Sequence, residues 1–150
     1  MQLHSDDTKR LNPDEAHAMV ILRGMLTSLA LALATPVFAD SVHVETVHFS
    51  PGTSGATIHG RLQGGDTVAY KVGVRSGQKM SVQLDSRNKS LYFNVNRPRP
   101  GTALYNSSIA GNGASMAIPA DGSYTVQVYL MRNAARRNEA ADYTLTLYVE

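Results

Sequence analysis

The 150-residue chain contains no cysteine, which rules out thiol nucleophiles and thiolate metal sites. Long apolar runs are also missing. The longest, Met25–Ala34, has about ten residues, whereas a helix needs about 20 to span a bilayer. Carboxylates are sparse, and no stretch beyond residue 39 shows a convincing helical period. There is no stripe of clustered Lys and Arg of the kind a nucleic-acid binder carries. The six prolines and twelve glycines are scattered, with no low-complexity block.

The apolar run has the layout of a secretion signal. Arg23 precedes Met25–Ala34, and Thr35-Pro36-Val37-Phe38-Ala39 places small residues where a signal peptidase inspects them. Cleavage is expected after Ala39. Residues 1–18 are polar with four acids and stand ahead of a start that looks ordinary at Met19. They read as an over-extended translation start, with a cytoplasmic extension as the alternative. Residues 1–39 are therefore expected to be extension plus signal peptide, and residues 40–150 one soluble, not membrane-spanning, exported domain. That domain carries eleven Lys and Arg against eight Asp and Glu, a net charge of +3. A chain of about 110 residues can hold together on its core without disulfides.

From residue 42 onward the sequence alternates. Val42 and Val44 share one parity, then the phase shifts to Val47 and Phe49, which implies a bulge or strand switch near Thr46. Strands are predicted around Ala56–Leu62, Val68–Val74, Met80–Leu84, Leu91–Val95, Tyr124–Leu130 and Tyr143–Val149, with weaker ones at Thr102–Tyr105 and Ala114–Ile118. Gly64-Gly65-Asp66 reads as a hairpin turn, Asn106–Gly113 as a loop and Pro119–Gly122 as a turn. About seven or eight short strands with turn signals every ~8–12 residues indicate an all-β, single-domain antiparallel β-sandwich.

No catalytic constellation emerges. His43, His48 and His59 lack metal-ligand spacing, no serine sits in a nucleophile elbow, and Asp66, Asp85 and Asp121 fall in predicted turns where Asp serves the backbone. The expectation is no enzyme, no metal and no cofactor. The outward-parity tyrosines Tyr92, Tyr129 and Tyr148 cover a sheet face or serve as interface anchors. Tyr129 is the one beside the longest connection.

That connection, Arg132–Ala141, is ten residues long and carries three arginines, whereas a hairpin needs about two to five residues. Its alanines favour a helical turn in which Arg132 and Arg136 share a face and Arg137 points elsewhere. Glu139 and Asp142 can pair with Arg136 or Arg137, so a solvated, salt-bridged loop is the plain alternative.

Arg132-Asn133-Ala134-Ala135-Arg136-Arg137 followed by Tyr143, together with Phe49–Ala56, Gly77-Gln78-Lys79 and Pro119–Tyr124, resembles the periplasmic inhibitors of goose-type (g-type) lysozyme made by Gram-negative bacteria. The resemblance implies a β-sandwich that blocks a lysozyme's substrate cleft and protects peptidoglycan. It also implies partner-binding roles for Arg132 and Arg136, with Asn133 and Tyr143 in support; a guanidinium suits cleft carboxylates. Tyr129 joins them by position. A cell-envelope glycan-binding module using Tyr92, Tyr129 and the basic loop is the alternative function, and a structural or chaperone-like envelope protein a third. The sequence leaves a weak homodimer open.

Overall fold

Strands form where apolar residues alternate, because each strand has one face to bury. The computed structural model describes residues 40–150; the expected leader, residues 1–39, lies outside the described residues. The elements in order are β1 (Val42–Thr46), β2 (Gly55–Gln63), β3 (Thr67–Val74), β4 (Lys79–Ser86), β5 (Leu91–Asn96), β6 (Tyr105–Asn106), α1 (Ser107–Ala110), β7 (Gly113–Ala117), β8 (Gly122–Leu130), α2 (Arg132–Arg136) and β9 (Ala140–Val149). One sheet has the order β1-β3-β8-β5-β6 and the other β2-β9-β4-β7. The nine strands exceed the seven or eight expected because the two-residue β6 forms its own ladder with β5.

The core lies between the two inner faces. Val68, Tyr70, Val72, Phe93, Val126 and Val128 from the first sheet meet Met80, Val82, Leu84, Leu145 and Leu147 from the second. Each such burial contributes about 1.5–3 kcal/mol. The half-buried Val47 and Phe49 pack against this core beyond the end of β1, so the phase shift near Thr46 marks where the strand stops.

The expected antiparallel sandwich forms, with two local departures. The sandwich is not wholly antiparallel, since β1 pairs parallel with β3. In addition, Gly64-Gly65-Asp66 is not a hairpin turn: β2 and β3 belong to different sheets, and the turn is a corner between them. Among the described strands only β5 and β6 are both consecutive and paired. Gly64 takes the left-handed conformation this corner requires, with φ at 59°. The predicted loop Asn106–Gly113 contains the short helix α1, started by Asn106, whose Oδ1 accepts from Ser108 N at 3.0 Å.

Asp66 and Asp121 lie at turns as expected, whereas Asp85 lies on the outer face of β4 and not in a turn. Asp121 accepts from Ser76 N at 2.7 Å and Asp66 from Ser41 Oγ at 2.6 Å. Within the same Pro119–Tyr124 segment, Tyr124 is buried and donates its hydroxyl to Ala120 O at 3.0 Å.

Leu145 is fully buried in the centre of the second sheet. Leu145→Ala is expected to cost about 2–5 kcal/mol through lost burial plus a cavity. In urea titration this appears as a lower midpoint with unchanged slope.

Candidate functional site

The connection between β8 and β9 is held from both sides. Met131 N donates to Ser90 O at 2.8 Å, and Gly64 N donates to Glu139 O at 2.8 Å. Between these points α2 makes little more than one turn, and Ala134, fully buried, plugs into the core. Successive residues on a helix are about 100° apart, so Arg132 and Arg136 lie on one side of the turn with Ala134 nearly opposite. Both arginines are exposed. Asn138, at φ 53°, closes the turn in the left-handed conformation that Asn tolerates.

The acids sort themselves among the other arginines. Arg137 pairs with Glu139, Nε to Oε1 at 2.8 Å, and Asp142 pairs with Arg61 through two bonds of 2.9 Å. The Arg137 bond, then the bond from Asn88 Nδ2 at 3.0 Å, hold the Glu139 carboxyl below its usual range. Arg132 and Arg136 have no ion pair among the described residues.

Asn133 is exposed, and its Oδ1 accepts from Ala134 N at 2.8 Å. Tyr129 and Arg132 line one surface depression of about 470 Å³ with Asn94 and Gln127. Tyr129 lies directly opposite Tyr92 on the outer face of the first sheet.

Tyr143 is placed differently. It sits on the inner face of β9, 5% exposed, and its hydroxyl is 2.7 Å from that of Tyr70 on β3. It ties the two sheets together beneath the loop and presents almost nothing to a partner. The helical turn and the tyrosine pair are thus separate parts of one end of the sandwich. Sequence reading overlooked Asn88, which reaches across from the β4–β5 connection to Glu139; nothing local in Ser86–Lys89 signals that contact.

Among the described residues no group of three or more His, Cys, Asp or Glu is placed to hold a metal. His59 meets Thr144 Oγ1 at 3.1 Å, and His43 lies 3.2 Å from Glu45. No helix among them is long and apolar enough to cross a membrane.

The described residues form a β-sandwich that presents a braced cationic turn at one end. No protein-family model matches the chain. It is 31% identical to the crystal structure of a periplasmic inhibitor of g-type lysozyme from Aeromonas hydrophila, covering 75% of this chain and 100% of that one, with a TM-score of 0.70. The Salmonella Typhimurium counterpart is 28% identical over 72% and 98% of the two chains, with a TM-score of 0.61. An inhibitor of g-type lysozyme from Escherichia coli is 26% identical over 137 residues, 87% of this chain and 93% of that protein. The chain belongs to this family of periplasmic g-type lysozyme inhibitors.

Burial pushes the phenols of Tyr70 and Tyr143 above their ordinary value, and the bond to Tyr70 raises Tyr143 further. Below about pH 10 both are neutral in folded and unfolded chains, so neither makes stability vary with pH. Above that, the unfolded chain loses these protons first and stability falls. Tyr143→Phe is expected to cost about 1–3 kcal/mol at neutral pH by leaving Tyr70 unpartnered. Urea unfolding between about pH 8 and 11 should show a shallower alkaline decline for this variant.

Proposed function

We propose that this protein inhibits g-type lysozyme by presenting Arg132 and Arg136 to carboxylates in the enzyme's substrate cleft. The observation that carries this reading is the division of charge at the turn: Arg137 is satisfied by Glu139, while Arg132 and Arg136 share an exposed face with no ion pair among the described residues. Glycosidases generally depend on paired Asp and Glu residues flanking the scissile bond. A guanidinium binds a carboxylate through two parallel, charge-assisted hydrogen bonds.

Asn133 and Tyr129 flank the pair and supply polar and aromatic contact, whereas Tyr143 acts from below by bracing β9 against β3. The role is inhibitory rather than catalytic, as in the relatives. The protein is periplasmic, as its relatives are described; export through a signal peptide within residues 1–39 is part of the proposal. A weak homodimer, where it forms, would use the edge of β1, whose Val42 and Val44 are 64% and 52% exposed.

Removing one partner of a buried interfacial charge pair typically costs about 2–5 kcal/mol. Arg132→Ala and Arg136→Ala should each weaken inhibition roughly 30-fold or more. Near-normal inhibition by the double variant would sink this assignment. Co-sedimentation with purified peptidoglycan in the absence of lysozyme would instead favour the glycan-binding alternative.

A further inference from the structure

We propose that the connection between β4 and β5 is a second arm of the inhibitory surface, in which Arg87 and Lys89 bind acidic groups bordering the cleft that the helical arginines enter. This extends the lysozyme-inhibitor reading and rests on it.

Strand register places the two arms at one end of the sandwich. Ser86, closing β4, lies opposite Tyr143 near the start of β9, and Leu91, opening β5, lies opposite Leu130 at the end of β8. The residues between, 87–90, therefore emerge beside the residues between β8 and β9. They are fastened there by side chains. Asn88 Nδ2 donates to Glu139 Oε2 at 3.0 Å and to Ala140 O at 3.3 Å, while its Oδ1 accepts from Ser90 N at 2.9 Å. Ser86 Oγ donates to Asp142 O at 2.7 Å.

Because Asn88 is turned toward the helical arm and half-buried, its neighbours Arg87 and Lys89 are exposed. Neither has an ion pair among the described residues. Two of the acids at this end are held in ion pairs, Glu139 with Arg137 and Asp142 with Arg61, while Asp85 and Asp66 accept from Gln83 and Ser41 and Asp40 lines the depression beside Arg132. Four cations without an ion pair among the described residues, Arg87, Lys89, Arg132 and Arg136, thus lie at one end of a domain whose net charge is only +3. Such a surface is complementary to an acidic protein surface and steers its approach. Asn88 is the positioning residue that sets one arm against the other.

The test measures association and dissociation of the full chain with a g-type lysozyme at low and high salt. R87Q/K89Q keeps every bond of Asn88, so its thermal unfolding should match the wild type. It should slow low-salt association about tenfold and flatten the salt dependence, with little change in dissociation. N88A keeps all four cations and should instead speed dissociation. Wild-type rates and salt dependence in R87Q/K89Q would overturn the second arm while leaving the inhibitor reading intact, and wild-type dissociation in N88A would overturn its positioning role. A wild-type chain that fails to inhibit the lysozyme would overturn both readings together.

Discussion

β8 and β9 follow one another in sequence yet occupy central positions in opposite sheets, and that constraint shapes the functional end of the molecule. Sheets packed face to face lie about 10 Å apart, so a two-residue hairpin cannot join these strands. The chain must leave one sheet, cross the open end of the core and enter the other. Crossing alone does not set its length, because β2–β3 and β4–β5 join the same two sheets through residues 64–66 and 87–90, and residues 131–139 therefore do more than bridge the gap. Crossing the core also means covering it, which explains the fully buried Ala134 at the middle of the turn.

Covering the core in turn seats the connection on it. Ala134 is small enough to sit on the ends of the packed strands, and a helical turn seated by it must hold Arg132 and Arg136 on the outside. The two ends of the connection continue into β8 and β9, whose inward residues are almost all buried. The Asn88–Glu139–Arg137 chain adds a lateral brace and keeps the negative charge of Glu139 occupied. A binder whose contact residues are already held loses less conformational entropy on association. In the proposed inhibitor the braces would favour recognition in this way, since the exposed ion pairs add little stability in themselves.

Much of the fold was legible in the alternation. The parity of Val68–Val74, Tyr124–Leu130 and Tyr143–Val149 marks the core-facing side chains of β3, β8 and β9 residue by residue. Parity says which face is apolar but not which strand lies alongside. Gly64-Gly65-Asp66 has the composition of a hairpin and is a corner between sheets, because turn chemistry describes a local reversal and not the partner of the strand that follows. The same limit hid the parallel pairing of β1, whose five residues are all exposed and so carry no burial signal. At the site, the face shared by Arg132 and Arg136 followed from their spacing. The partner of Glu139 across from β4–β5 did not, since that contact joins residues 51 positions apart.

The motif that joins Arg132, Arg136 and Tyr143 combines residues placed for different physical reasons. The arginines are exposed and unpaired among the described residues, and their chemistry is directed outward. Tyr143 faces inward against Gly60, where an added Cβ would come within 2.4 Å of its ring, and bonds Tyr70 across the sheets. Its closeness in sequence to the basic turn reflects the geometry of a crossover: the strand that receives the chain must be anchored near its start, or the turn above it would not be held. Residue spacing alone cannot separate a contact from the anchor beneath it. Burial can: the arginines of the turn are open to solvent, and the tyrosine pair lies within the core beneath them.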